Sequence, residues 1–286
     1  MTDPAVAHRR SVILLVFAAV LWSTSGVFIK LLDWQPMAIL GGRSIFAALL
    51  FLAYLRPRSL RWTRLQVLGA VFYVAAQLAF IMATKLTTAA NAIFLQYAAP
   101  IYIILFGWWL LGERPQRADL LALPVIFAGL LLFLGDDLTA NGMAGNVLAI
   151  LSGMAMAGWF LTMRVQKDGV PANTILLGNI IGAVIGLPFL AQADLTPINL
   201  AVIIYLGVFQ LGMAALLYSI AIKHVPVLES TIILMLEPIL NPIWVFLALG
   251  ETPGTLALIG AALVLGATLW RASYAGRVLA PAAARQ

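Results

Sequence analysis

The sequence has no cysteine and only two histidines among its 286 residues. Without cysteine, the chain forms no disulfide, no thiolate nucleophile and no cysteine-ligated metal site. His8 and His224 lie in a polar terminus and at the end of an apolar run, and there is no zinc-protease, nucleophile-elbow or phosphate-loop motif. A serine nucleophile would therefore lack a histidine base. These absences make an enzyme the least favoured class, and we expect no metal and no other cofactor.

Charge is also scarce. Charged residues make up 10% of the chain, hydrophobic residues make up 63%, and the mean hydropathy is +1.02. A soluble domain carries about 25% charged residues. So few charges cannot cover a surface exposed to water, and the composition predicts an integral membrane protein. We attribute the net charge of +6 to basic loops on one side of the membrane rather than to nucleic-acid binding.

Ten apolar segments of about 20 residues, each long enough to cross a bilayer, are separated by short polar stretches. With the N-terminus inside, most lysines and arginines flank the inner ends, whereas only Lys30 and Lys85 flank the outer ends. The pattern predicts an all-α membrane protein with ten transmembrane helices and both termini in the cytoplasm. The first segment has no cleavage site and is interpreted as a retained helix. The predicted spans are 12–32, 36–55, 64–85, 88–111, 118–135, 144–163, 172–191, 199–222, 228–249 and 254–271.

The chain also repeats itself. Residues 99–115 (APIYIILFGWWLLGERP) align with residues 237–253 (EPILNPIWVFLALGETP), with the first proline and the Gly-Glu-x-Pro exit in register. The repeat predicts two five-helix halves, 1–138 and 139–286, and Glu113 and Glu251 are interpreted as turn residues. Because five is odd, the halves enter the membrane from opposite sides, as in secondary transporters that bind substrate near the midplane. Such inverted repeats favour alternating access over a passive channel.

These segments, together with Trp22, Lys30 and the GGRSIFAALL stretch around Arg43, resemble the ten-helix EamA branch of the drug/metabolite transporter superfamily. Within it, the chain looks most like bacterial exporters of amino acids, notably the aromatic type. The resemblance covers nearly the whole chain. It implies an exporter of the bacterial inner membrane, driven by a proton or substrate gradient, with a cavity lined mainly by spans 1, 3, 4, 6, 8 and 9. Since members with different cargo share these motifs, other small metabolites or drugs remain alternative substrates.

Polar and aromatic side chains inside these six spans are the candidate substrate-binding residues, because polar groups within a membrane mark sites or pathways. Uncharged amides and hydroxyls can bond both an ammonium and a carboxylate, and aromatic rings can stack on a side chain or hold a cation. We therefore expect a permissive site for amino acids, aromatic ones included. The candidates are Trp22, Ser25, Tyr73, Gln77, Phe80, Asn91, Tyr102, Trp159, Gln210, Tyr218 and Asn241.

Two charged residues lie within spans. Arg43 is interpreted mainly as a structural charge with a partner near the outer side, and anchoring of a substrate carboxylate is the alternative. Glu237 has two equal interpretations: a proton carrier or ammonium anchor, or an acid bonded to another helix. Pro238 and Pro242 follow it and predict a bent helix. The expected partners are thus a small-molecule substrate, the lipid bilayer and, if Glu237 carries one, a proton. The sequence does not predict the oligomeric state, and a monomer suffices.

Overall fold

The computed structural model describes residues 4–56, 61–99, 101–103, 106, 117–136, 140–166, 169–225, 230 and 233–283. Within these ranges every regular element is helical, as predicted. A short 3-10 helix spans Leu187–Gln192, and a π-helix spans Leu206–Met213. The helices are α1 (Pro4–Ser23), α2 (Ser25–Leu31), α3 (Pro36–Leu55), α4 (Arg64–Leu86), α5 (Ala89–Gln96), α6 (Arg117–Asp136), α7 (Ala140–Val165), α8 (Ala172–Gly186), α9 (Pro197–Tyr205), α10 (Ala214–Ala221), α11 (Leu236–Leu249) and α12 (Thr255–Ala283).

Six described segments are long and apolar enough to cross a membrane, and three shorter apolar helices accompany them. These segments coincide with nine of the predicted spans. The predicted span 88–111 is described over Ala89–Gln96 and at a few residues beyond, and its remaining residues lie outside the described ranges. Pro100 and Glu113 of the repeated motif also lie outside the described ranges. The protein is a multi-pass membrane protein.

The first span is broken at Thr24, which the sequence analysis treated as part of one continuous helix. The hydroxyl of Thr24 donates to the Leu21 carbonyl at 2.7 Å, and the hydroxyl of Ser23 donates to the Val20 carbonyl at 2.7 Å. Such bonds compete with the helical backbone ladder and often bend helices. The break ends α1 at Ser23 and starts α2 at Ser25, whose side chain reaches the centre of the bundle.

The eighth predicted span also departs from a regular α-helix, because residues 206–213 form a π-helix. Two glycines in this segment let it approach α3 closely. A Cβ on Gly207 would lie 2.6 Å from the Arg43 carbonyl oxygen, and one on Gly212 would lie 3.4 Å from the Cα of Ala47. π-helical turns are rare and occur frequently at functional sites. This one carries the buried Gln210.

The helix packing follows a pairwise pattern. α4 packs on α7, and α1 packs on α10; α5 packs on α7, and α1 packs on α11. Two further pairs are α3 with α8 and α6 with α12. The first five predicted spans can be matched in order with the last five, so that span 1 corresponds to span 6 and span 5 to span 10. The pair α4–α7 then corresponds to α10–α1, and the pair α5–α7 corresponds to α11–α1. The pairs α3–α8 and α6–α12 each correspond to themselves. Two halves related by a two-fold axis would pack in this way.

The glycines of α8 serve packing within the bundle. Gly178 lies against the ring of Tyr73, and Gly182 lies against the Ser44 hydroxyl. Gly186 packs on Gly41 so closely that a Cβ on Gly41 would lie 2.7 Å from the Gly186 backbone. Backbone atoms cannot move aside as a side chain can, so α3 and α8 depend on the absence of a side chain here.

We expect Gly41→Ala to destabilise the protein by about 1–3 kcal/mol, the usual cost of overpacking. The measurement is thermal unfolding of the purified protein in detergent, where the midpoint should fall by several degrees. Gly266→Ala is the matched control, since a Cβ at Gly266 meets nothing within 4 Å. Equal midpoints for the two variants would contradict the close α3–α8 packing.

A polar network closes one end of the bundle, the end predicted to be outside. Lys30 forms an ion pair with Glu251, and its ammonium also donates to the Thr87 carbonyl at 3.3 Å. The other carboxylate oxygen of Glu251 accepts the backbone N–H of Ala89 at 2.7 Å. This carboxylate lies at the N-terminus of α5, where a negative charge is favourable. Glu251, interpreted above as a turn residue, therefore also links α2, α5 and the connection between α11 and α12.

Candidate functional site

A cavity of about 40 Å³ lies at the centre of the bundle. Pockets for small molecules usually measure roughly 300 Å³ or more, so in this form the cavity has no room for a ligand of that size. The lining comes from spans 1, 3, 4, 6, 8 and 9, the same six that the sequence resemblance implied. The lining residues are Trp22, Ser25, Ala76, Gln77, Phe80, Gln96, Tyr97, Met156, Trp159, Phe160, Gln210 and Glu237.

Six candidate substrate-binding residues and Glu237 come together in this lining. The six are Trp22, Ser25, Gln77, Phe80, Trp159 and Gln210. The sequence analysis missed Ala76, Gln96, Tyr97, Met156 and Phe160. Gln96 could have been found, because it is an amide inside an apolar run like the others. Met156 and Phe160 are four residues apart in α7, on the same face as Trp159.

Three other candidates support the lining residues from behind. Tyr73 lies with its ring centroid 5.0 Å from that of Trp159, and its hydroxyl donates to the Asn179 side chain at 3.4 Å. Tyr218 lies 5.7 Å from Trp22 and 5.9 Å from Trp159, again between ring centroids. These contacts hold the two tryptophans in place.

The third supporting candidate is Asn241, whose side-chain amide donates to the hydroxyl of the lining residue Ser25 at 3.2 Å. The last two candidates lie away from the cavity. Asn91 donates its side-chain amide to Asn146 at 3.3 Å and so joins α5 to α7. Tyr102 lies partly buried beyond the end of α5, in the sparsely described part of its span.

Arg43 does not line the cavity either, although it is completely buried. Its guanidinium Nη2 donates to the Gln77 side-chain oxygen at 2.5 Å and to the Gln77 backbone carbonyl at 3.5 Å. Gln77 itself reaches the cavity. Arg43 is thus connected to the cavity through the Gln77 amide. The arrangement has features of both earlier interpretations, a structural charge with a partner and a charge near a substrate carboxylate.

Glu237 lies in the cavity wall with Tyr97 as its partner. The Tyr97 hydroxyl lies 2.7 Å from a Glu237 carboxylate oxygen and 3.0 Å from the Leu234 carbonyl oxygen. That carbonyl is available because Pro238, four residues later, has no N–H to donate to it. In the described part of the chain, the acid has no basic side chain in salt-bridge contact; the Lys30–Glu251 pair belongs to the closed end.

Two buried polar atoms of the lining have no hydrogen-bond partner among the described residues. They are the indole nitrogen of Trp159, a donor, and the side-chain oxygen of Gln210, an acceptor. An unsatisfied buried polar group costs about 1–3 kcal/mol. Both atoms would therefore gain a hydrogen bond if a polar ligand reached them. Together with Glu237, they give the cavity two sites for a cationic group and one for an anionic or carbonyl group.

The chain is similar to known membrane transporters over nearly all of its length. The model of the EamA-like transporter family matches residues 9–135 and again residues 143–271. An uncharacterized transporter of Archaeoglobus fulgidus is 30% identical over 90% of this chain and 95% of its own. The threonine/homoserine exporter RhtA of Escherichia coli K12 is 26% identical over 79% of this chain and 78% of its own.

A similar architecture has been solved by crystallography. One crystal structure of a protein 20% identical to this chain superposes with a TM-score of 0.68 and covers 94% of this chain and 98% of its own. At this identity the likeness shows a shared fold and does not by itself show a shared function. The family is therefore the firmer basis for an argument about function.

Proposed function

We propose, from the premise that the chain belongs to the EamA-like transporter family, that it exports amino acids across the bacterial inner membrane. Family membership implies a small-molecule substrate and a bilayer. The finer statement, that the substrate is an amino acid and that several side chains are accepted, rests on the cavity. Amino acid export by a relative, the threonine/homoserine exporter, supports the same substrate class.

The observation that carries this proposal is the polar pattern of the lining. Glu237 and the unpartnered oxygen of Gln210 can accept bonds from an ammonium group, and the unpartnered indole N–H of Trp159 can donate to a carboxylate. A zwitterionic α-amino acid carries both groups on one carbon. The complementary groups come from different helices: Trp159 from α7, Gln210 from the π-helix and Glu237 from α11.

Aromatic rings fill much of the remaining wall and favour substrates with an apolar or aromatic side chain. Trp22 and Trp159 meet edge to face with ring centroids 6.4 Å apart, and Phe160 lies 4.9 Å from Trp159. Such faces stack on rings without requiring one side-chain shape. We therefore propose a broad exporter that accepts aromatic amino acids among others.

Alternating access between two inverted halves is the proposed mechanism. The double match of the family model and the exchange of helix pairs support the division into residues 1–138 and 139–286. Inverted repeats let one bundle rock against the other around a fixed site. In the predicted topology, the closed end with Lys30 and Glu251 is the outer one, so the structure corresponds to a state closed toward the outside.

Counterflow into proteoliposomes tests the function. Liposomes that contain purified protein and a high concentration of unlabelled phenylalanine or threonine should accumulate the labelled amino acid, and uptake should saturate. Nucleotide sugars and phosphate serve as negative controls, because the described lining carries no basic side chain. Linear, unsaturable flux would indicate a channel. Saturable exchange of the control compounds without any exchange of amino acids would refute the proposed substrate.

A further inference from the structure

We propose that Arg43 positions the amide of Gln77 so that its NH₂ group faces the cavity and selects substrates with a carboxylate. This inference rests on the proposed function, because it assigns the carboxylate end of the amino acid site. It gives a role to a buried charge that does not itself touch the cavity. Arg43 is thus a positioning residue, and Gln77 is the group that contacts the substrate.

The geometry places Gln77 between a charge and the cavity. Arg43 lies on α3 with no exposed surface, whereas Gln77 lies on α4 and lines the cavity. The guanidinium contacts the Gln77 side-chain oxygen at 2.5 Å and the backbone carbonyl of the same residue at 3.5 Å. These two bonds to Gln77 fix the orientation of its side chain as well as its distance from the guanidinium.

The chemistry of the pair decides which way the amide points. The oxygen and the nitrogen of a glutamine amide are assigned from their hydrogen-bond partners. A guanidinium has only donors, so only the oxygen of Gln77 can face it. The opposite orientation would set donor against donor. The amide NH₂ therefore lies on the side of the Gln77 amide away from Arg43, and Gln77 itself lines the cavity.

The charge of Arg43 strengthens this donor. Arg43 makes no ion pair with a described acidic residue, and its Nε and Nη1 atoms have no hydrogen-bond partner in the described part of the chain. Since fields extend further in a low-dielectric interior, the positive charge favours an anion beside Gln77. The Trp159 indole N–H, on the helix packed against α4, adds a second donor. The two donors together define a carboxylate subsite.

Gln77→Glu tests the inference, because it keeps the size of the side chain and an acceptor for Arg43 but removes the NH₂ group. Binding of phenylalanine and of phenylalaninamide, which lacks the carboxylate, is measured by thermal-stabilisation titration of purified protein. We expect half-saturation by phenylalanine to require about ten- to hundredfold more ligand, the usual effect of a lost charged hydrogen bond. Half-saturation by phenylalaninamide should change by less than about threefold.

Two variants of Arg43 separate positioning from a structural role. Arg43→Lys keeps a positive, donor-only group and should retain the preference for phenylalanine over its amide. Arg43→Gln frees the Gln77 amide to rotate and should lose most of that preference. An unchanged preference in both Gln77→Glu and Arg43→Gln, with wild-type binding intact, would overturn this inference alone. If the wild type binds neither compound, the proposed function and this inference fall together.

Discussion

Glu237→Gln should reduce the affinity for amino acids by about 10- to 150-fold, which corresponds to the loss of roughly 1.5–3 kcal/mol for a hydrogen bond to a charged group. Glutamine has nearly the same shape and can still accept a bond from the Tyr97 hydroxyl, which lies 2.7 Å from the native carboxylate. What it loses is the negative charge facing an ammonium group. The measurement is competition with labelled phenylalanine in the counterflow assay.

The control compound for this variant is 3-phenylpropionate, which keeps the ring and the carboxylate but lacks the ammonium group. Its competition should be unchanged or stronger in Glu237→Gln. The control variant is Glu251→Gln, the same substitution at the closed end of the bundle, which should preserve the ratio between the two compounds. If phenylalanine and 3-phenylpropionate weaken equally in Glu237→Gln, the carboxylate does not contact the ammonium group.

The same variant distinguishes the two functional roles left open for Glu237. A proton carrier is required for accumulation driven by an imposed pH gradient, but it is not required for exchange of one substrate molecule for another. An ammonium anchor is required for both. Loss of gradient-driven accumulation with intact counterflow therefore assigns proton coupling, and loss of both assigns anchoring. Wild-type behaviour in both assays would leave only the structural interpretation of this acid.

The second large effect is expected at the closed end. Either Lys30→Met or Glu251→Gln breaks the ion pair and weakens the link to the N-terminus of α5. Both side chains are partly exposed, at 19% and 24%, so we expect a modest loss of about 1–2 kcal/mol. That is sufficient to increase the population open on this side by about 5- to 30-fold.

The absence of cysteine makes this prediction direct to measure. Ser25→Cys places one thiol in the cavity lining of a chain that has no other. In intact cells, a membrane-impermeant thiol reagent should label this position slowly in the Ser25→Cys protein and several-fold faster once Lys30 or Glu251 is replaced. Faster labelling in inside-out vesicles instead would show that the network closes the cytoplasmic side. Unchanged labelling from both sides would show that it does not control access.

The order of the helices followed from local properties of the sequence. Apolar length and flanking polar residues predicted 36–55 and 64–85, and the structure has helices at Pro36–Leu55 and Arg64–Leu86. Apolar length and polar flanks reflect the free energy of moving side chains from water into the bilayer, which can be read from the residue types alone. The breaks were not predicted. The break at Thr24 is accompanied by hydroxyl bonds to the backbone, and the π-helix at 206–213 by close contacts with α3.

The site shows the same division. Amides and aromatic residues inside the spans pointed to the correct helices, but helix rotation decided which of them face the cavity. The predicted span 88–111, which contains the candidates Asn91 and Tyr102, assumed a continuous helix. In the structure α5 ends at Gln96, and the following turn brings Tyr97 toward Glu237 instead. Spacing rules fail beyond such a break because the 3.6-residue period restarts with a new phase.

In the proposed transport cycle, the π-helix between α9 and α10 offers one way in which the cavity could change. Its hydrogen bonds span one residue more than those of an α-helix. Conversion of one such turn to α-helical geometry would rotate everything after it by about 100° around the helix axis, the angle that one residue covers. Tyr218, eight residues after Gln210, would then leave the side of Trp22 and Trp159. A change in hydrogen-bond register within one span is thus enough to release the aromatic contacts behind the cavity wall.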